Sequence, residues 1–291
     1  MIFRSIWKLL KIEITFLVVL VAVAGFLSVP GAENHLILLV PLVLTGAMAS
    51  MSSGLFNNLY DRDIDQMMKR TKEREKMIDG KQGYLFALGV AFISLAFVGS
   101  WIILNLLTAI FIFLGFCSYL FLYTIFLKRR TTWNIVIGGI AGSFPALAGW
   151  SALTGSISLT SIYIAFLVFL WTPTHFWSLA VGSKDDYNAA SIPMLPAVTN
   201  PEETAKYLTI NSSLLVFYTL IPVFFLVTGN GGVFHLGYFY YPMAVVLDLY
   251  LVYLTVMQYK STFSRPFYKK SFMFSNYYLM LLLISICLVI L

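Results

Sequence analysis

Long apolar runs separated by short polar connections dominate the chain. Runs long enough to cross a bilayer, roughly 20 residues each, fall at about 12–29, 36–56, 84–104, 106–127, 134–152, 160–181, 206–228, 236–258 and 272–291. This pattern predicts an all-α integral membrane protein with nine transmembrane helices. The first run follows Arg4, Lys8 and Lys11 and precedes Val29-Pro30-Gly31, as a secretory signal would. Its apolar stretch is longer than the 7 to 15 residues of a signal h-region, so a retained first span is expected.

Charge placement sets the topology. Three Lys and Arg residues precede the first run, seven lie from Arg62 to Lys81, and three are Lys128, Arg129 and Arg130; Lys184, Lys206 and four residues from Lys260 to Lys270 complete the set. They occupy the N-terminus and every second connection. The positive-inside rule therefore predicts a cytoplasmic N-terminus and, with nine spans, a C-terminus outside. Composition agrees: 59% of the 291 residues are hydrophobic, 11% are charged and mean hydropathy is +0.85. A soluble domain would carry about a quarter charged residues. The net charge of +6 comes from short topogenic clusters rather than a nucleic-acid-binding surface. Cys117 and Cys287 sit inside separate apolar runs and offer neither a disulfide framework nor metal spacing.

The polar stretch Asn57-Asn58-Leu59-Tyr60-Asp61-Arg62-Asp63-Ile64-Asp65 interrupts this pattern. If the second helix continues through it, Asn57, Asp61 and Asp65 share one face. Carboxylates one turn apart repel unless a cation lies between them, and an incomplete oxygen-only ligand set suits Mg²⁺ with substrate phosphate. A solvated helix end would carry similar residues, but ionisable groups at membrane depth mark function by default. Asp63 points off this face, where Arg62 is a candidate partner. The cations from Lys69 to Lys76 could neutralise a polyanionic substrate or serve topology alone.

A second polar loop follows the sixth run, with Trp171-Thr172-Pro173-Thr174-His175 before it and Lys184-Asp185-Asp186-Tyr187 leading to Ile192-Pro193-Met194-Leu195-Pro196. Its position suggests a single domain with a weak internal repeat, approximately 12–127 and 134–258, whose acidic loops meet over one cavity. His175 lies inside a span beside a helix-kinking proline, and either catalysis or an interhelical hydrogen bond would explain it. His35 and His235 lie near outer connections. Asp248, deep in the eighth run, needs a partner or a cavity. Gly138, Gly139, Gly142 and Gly149 in the fifth run predict close helix packing. Such a carboxylate-metal site facing an apolar bundle fits a substrate with a diphosphate head and a hydrocarbon tail, ionised in a dry, aromatic-lined cavity.

These residues resemble the UbiA superfamily of intramembrane prenyltransferases through Asn57-x-x-x-Asp61-x-x-x-Asp65. More narrowly, Asn58 to Asp65 with Met68, Arg70 and Thr71, Leu127-Lys128-Arg129, Asn134 to Gly139, Pro173 to Trp177 and Asp186-Tyr187 to Pro196 resemble the protoheme IX farnesyltransferase (haem O synthase) family. The resemblance implies transfer of farnesyl from farnesyl diphosphate to a vinyl group of haem b, with Mg²⁺ as cofactor. It implies metal-diphosphate binding by Asn57, Asp61 and Asp65, and diphosphate contact by Arg62, Lys128 and Arg129. It also places Asn58, Arg70, Asn134, Lys184, Asp185 and Tyr187 among substrate contacts, and His175 and Asp186 beside Asp61 and Asp65 as catalytic. Ala189 and Ala190 stand where many superfamily members have a second acid four residues on, which puts a second metal in doubt. The expected location is the plasma membrane, with the site on the cytoplasmic side and haem A synthase or terminal-oxidase assembly factors as candidate partners. The rivals are a related prenyltransferase acting on an aromatic acid or quinone precursor, a cation or lipid-phosphate transporter, and a haem-binding assembly protein.

Overall fold

The chain is seen as a computed structural model that describes residues 7–69, 71–229, 233–234, 236–260 and 265–288. Arg70 and His235 lie outside the described residues. Among those described there is no strand. Among the described residues, nine apolar helices follow one another: α1 Ile12–Leu27, α2 Ala32–Tyr60, α3 Gln82–Ile103, α4 Leu106–Leu127, α5 Asn134–Thr154, α6 Leu159–Gly182, α7 Pro201–Val227, α8 Tyr240–Lys260 and α9 Phe267–Cys287. Eight, α2 to α9, are long and apolar enough to cross a membrane. With 16 residues, α1 reaches about 24 Å, short of the roughly 30 Å hydrocarbon core. It stops early because Pro30 follows and Gly31 turns the chain at φ 82°.

Consecutive helices pack side by side, and α9 returns to α1, so the helices close a ring. Cross-contacts pinch it: α1 lies along α5, α6 along α9, and α2 against α4. The α1–α5 crossing depends on glycine. A Cβ built on Gly149 would lie 1.9 Å from the Ala22 carbonyl oxygen, and one on Gly25 would lie 2.3 Å from that of Ala146. These backbones touch as small-residue stripes allow in membranes. Further along α5, a Cβ on Gly138 would meet the Tyr123 ring at 2.6 Å, which brings α5 close to the end of α4. The outer faces carry exposed apolar side chains such as Ile102, Phe217 and Leu249, as a lipid-facing surface requires.

Two ionisable groups inside the bundle pair across helices. On α8, Asp248 accepts hydrogen bonds from Thr219 Oγ1 (2.7 Å) and Tyr278 OH (2.6 Å) on α7 and α9, which supplies the partners the sequence left open. His175 Nδ1 lies 2.8 Å from Ser275 Oγ, and its ring stacks on Trp171 at 4.4 Å. It joins α6 to α9 as an interhelical contact.

Gly149→Ala should destabilise the bundle by about 1–3 kcal/mol, since the backbones must separate to admit the methyl group. Thermal unfolding of the detergent-solubilised protein reads this; an unchanged midpoint would contradict the close crossing.

Candidate active site

Through the polar stretch α2 interrupts its helix without losing its hydrogen-bond register. Asp61 leaves helical geometry (φ −89°, ψ 12°) and a short helix, Arg62–Met67, follows. Yet the Asp61 N–H still donates to Asn57 O (2.9 Å), and the Asp65 N–H to Asp61 O (2.8 Å). The three residues therefore keep a common face, with Asn57 Nδ2 donating to Asp61 Oδ2 at 2.8 Å. Asn57, Asp61 and Asp65 are 4%, 1% and 4% exposed, too buried for carboxylates without partners.

Helix α4 supplies part of the answer. Its second half, Ser118–Leu127, winds as a π-helix, a geometry found mostly at functional sites. The wider turn points Tyr119, Thr124 and Lys128 toward α2. Thr124 Oγ1 accepts from Asn57 Nδ2 (3.0 Å) and Lys128 Nζ donates to Asp61 Oδ2 (2.5 Å). Arg129 Nη2 reaches Asp61 Oδ1 at 3.3 Å, while its fork grips Asp63 at 2.6 and 2.7 Å. On the far side, Arg74 Nη1 lies 3.5 Å from Asp65 Oδ2. That oxygen is buried and accepts no hydrogen bond from the described residues. A buried carboxylate oxygen without a hydrogen-bond donor, on a face with a second carboxylate and an amide, is a donor set that fits a hard divalent cation. No group of three or more His, Cys, Asp or Glu side chains forms a ready-made cage among the described residues.

The N-terminal segment completes the arrangement. Lys11 Nζ donates to Asn57 Oδ1 and, at 3.2 Å, to Tyr119 OH. Sequence reasoning treated Lys11 as topogenic and passed over Tyr119 and Thr124, which look like ordinary span residues until a π-helix turns them inward.

The two polar loops meet. Ile64 and Met68 of the first pack with Tyr187, Ile192, Met194 and Leu195 of the second, together with Ile135 and Trp177. The Lys69 N–H donates to Asp186 Oδ1 at 3.1 Å, so Asp186 ties one loop to the other. Asp185 is exposed. Lys184 Nζ turns to Thr199 O at 3.4 Å, and buried Tyr187 belongs to the apolar contact between the loops. Asn134 Nδ2 donates to Lys128 O at 3.3 Å, and its buried Oδ1 has no hydrogen-bond partner. Asn58 Nδ2 holds Leu9 O at 2.8 Å, which fixes the N-terminal segment to α2. The expected pairing of Arg62 with Asp63 is not formed. Arg62 lies 3.6 Å from Glu75 and 3.7 Å from Asp79, because the Arg62–Met67 helix turns it toward the loop while Asp63 faces Arg129.

A family model described as the UbiA prenyltransferase family matches residues 17–287. The chain belongs to the UbiA prenyltransferase family. A UbiA relative, protoheme IX farnesyltransferase 2 of Picrophilus torridus, is 49% identical over 287 residues, covering 98% of this chain and 97% of that one. The fold is similar to that of a digeranylgeranylglyceryl phosphate synthase, at a TM-score of 0.76 and 14% identity, covering 98% and 97% of the two chains. A UbiA homologue from Archaeoglobus fulgidus bound to GPP and Mg²⁺ matches at a TM-score of 0.62 and 17% identity, over 97% and 99%. The chain is thus a multi-pass membrane protein of a prenyltransferase family.

The Asp63–Arg129 fork gives the site an acid limit. Hydrogen bonds from Arg129 hold the Asp63 carboxyl below the usual aspartate range. A lowered folded-state pKa means that the stability it adds is present above about pH 4 and is lost as pH falls through the lowered value. For so exposed a pair the contribution is at most about 1 kcal/mol. Asp63→Asn should therefore lower the melting midpoint slightly at pH 7 and flatten its fall below about pH 4, measured by thermal scans in detergent. A parallel fall in both proteins would contradict the clamp.

Proposed function

We propose that this protein transfers the farnesyl group of farnesyl diphosphate to a vinyl carbon of haem b, giving haem O. The observation that carries the reaction class is the buried Asn57–Asp61–Asp65 face, ringed by Lys128, Arg129 and Arg74, with a buried Asp65 carboxylate oxygen that no described residue hydrogen-bonds. The acceptor is supported by the name of the Picrophilus torridus relative, a protoheme IX farnesyltransferase. The diphosphate and the metal are supported by the Archaeoglobus fulgidus homologue bound to GPP and Mg²⁺.

In this reading Asn57, Asp61 and Asp65 hold Mg²⁺, which when bound supplies positive charge to the leaving diphosphate. Lys128 and Arg129 shift from carboxylate to diphosphate oxygens, where the planar Arg fork matches two acceptors. The allylic C1–O bond breaks and its electron pair leaves with the diphosphate. Farnesyl C1 bonds to the terminal vinyl carbon, the cation left on the inner carbon takes up water, and a proton is released. Asp186, by holding the Lys69 N–H, keeps the second loop over the first. Asp185 and Asp186 lack the following acid that a second metal would use, so one carboxylate face serves. Arg62, paired with Glu75 and Asp79, positions the loop. Asn134 and Tyr187 line the contact between the loops, with Lys184 at its edge and Arg70 near it in sequence; His175 acts through the α6–α9 contact. The positive-inside pattern supports a site at the cytoplasmic face of the plasma membrane, with α1 as a ninth span. The domain reading keeps one bundle with two related halves, about 12–127 and 134–258. Haem A synthase or terminal-oxidase assembly factors would receive the product.

Purified protein incubated with haem b, farnesyl diphosphate and Mg²⁺ should yield a hydroxyethylfarnesyl haem by mass spectrometry, and EDTA should abolish it. Unmodified haem from folded protein, with prenylation of an aromatic acid instead, would overturn the acceptor. Asp65→Asn should lower turnover at least about 100-fold, the equivalent of a few kcal/mol of lost charge stabilisation, at an unchanged melting midpoint. Wild-type turnover in that variant would overturn the metal assignment.

A further inference from the structure

We propose that Asn134 and Trp177 hold between them the water molecule whose oxygen becomes the hydroxyl of the product. The inference rests on the haem farnesylation reading above and adds to it the residues that decide how the reaction ends.

Asn134 opens α5 and is 0% exposed. Its amide orientation is set by α4, because the Lys128 carbonyl can only accept, so Nδ2 faces it and donates at 3.3 Å. Oδ1 is left on the other side of the amide, buried, and no described residue hydrogen-bonds it. Trp177, near the C-terminal end of α6, is buried too, and its Nε1 has no hydrogen-bond partner among the described residues. Earlier in the same helix, Trp171 shows the ordinary outcome by donating its Nε1–H to Ser275 O at 2.7 Å. The two open atoms border one apolar cluster. Ile135, next to Asn134, packs in it with Trp177, and Ile64 and Met68 of the loop that follows Asp61 belong to it as well. Both side chains are seated from behind. Trp177 rests against Tyr207 of α7 at 6.4 Å, and the close approach of Gly138 to the Tyr123 ring holds the first turn of α5 to α4.

An open acceptor and an open donor beside one apolar cluster define their occupant. A diphosphate oxygen only accepts, so Asn134 Oδ1 would repel it, and a metal ion would be repelled by the indole N–H. Water satisfies both: it accepts the Trp177 N–H on one lone pair and donates one O–H to Asn134 Oδ1, the two or more polar partners that a buried water needs. Its second lone pair stays free. Once farnesyl C1 has bonded to the terminal vinyl carbon, the cation on the inner carbon has two fates. It sheds a proton from the neighbouring CH₂ and becomes an alkene, or it bonds the water oxygen and becomes an alcohol. In a dry site the alkene wins unless a water is already held at bonding distance. The held water bonds through its free lone pair, one of its O–H bonds breaks, and that proton goes to the diphosphate released in the first step. Farnesyl diphosphate, haem b and water thus give the alcohol and protonated diphosphate. Asn134 and Trp177 exchange no proton; they are positioning residues.

The test uses purified full-length protein in detergent with haem b, farnesyl diphosphate and Mg²⁺, and reads by mass spectrometry the ratio of the hydroxylated adduct to the alkene adduct, lighter by one water. The wild type should give the hydroxylated adduct as its main product. Asn134→Leu and Trp177→Phe remove the acceptor and the donor while keeping apolar bulk. Each should raise the alkene share at least about tenfold, the effect of one lost hydrogen bond on the barrier to water capture. The double variant should match the stronger single variant, because either change releases the same water. The ratio is read within the adduct and does not depend on total turnover, and the two positions lie on different helices, so poor folding of one variant leaves the other to decide. Wild-type ratios in both single variants would overturn the proposal and leave the two side chains as substrate contacts or packing. A double-variant effect equal to the product of the two single effects would overturn the shared water. No adduct of either kind from folded wild-type protein would instead overturn the haem reading, and the proposal with it.

Discussion

Two carboxylates and an amide are buried together at the C-terminal end of α2, and the surrounding structure is arranged to make that tolerable. Asp61 and Asp65 are almost wholly removed from water, where an unpaired charge would cost several kcal/mol. Each is met by a cation from elsewhere in the sequence: Lys128 and Arg129 from the end of α4, Arg74 from the loop after α2. The π-helix of α4 follows from the same requirement. Regular α winding would leave Thr124 and Lys128 on one face but carry Tyr119 round to another. Five-residue hydrogen bonding, as in the Lys128 N–H to Tyr123 O bond of 2.8 Å, brings them back into line. The close approach of Gly138 to Tyr123 holds that end of α4 against α5.

Among the described residues, the loops meet through apolar packing and a backbone hydrogen bond to Asp186. Ile64 and Met68 sit among the apolar residues of the Ile192 to Leu195 segment, and Asp186 receives the Lys69 N–H. A strong sequence motif in the second loop thus serves to seat the first loop over the carboxylate face.

Much of this was legible in the sequence, for definite physical reasons. Apolar runs of bilayer length locate the helices, and the four-residue spacing of Asn57, Asp61 and Asp65 survives because the helical register persists through Asp61. The fifth-helix glycines correctly announce close packing. Contacts set by distant chain segments were not legible. Lys11 is 46 residues from Asn57, and nothing local distinguishes it from the topogenic Arg4 and Lys8. Tyr119 and Thr124 need the π-helix, which periodicity does not signal. Arg62 and Asp63 are neighbours, yet adjacent helical residues diverge, so they pair with Glu75 and with Arg129 instead. Asp248 looked like a stray acid because its partners, Thr219 and Tyr278, lie on two other helices.

The central claim is that the α2 face binds metal and diphosphate together. The most direct measurement is an electron-density map of the protein with Mn²⁺ and a non-hydrolysable farnesyl thiodiphosphate. The account predicts metal density bounded by Asn57, Asp61 and Asp65, with the diphosphate against Lys128 and Arg129. Diphosphate density on the second loop beside Lys184, with the Asp61–Lys128 pair intact and no metal at Asp65, would contradict it.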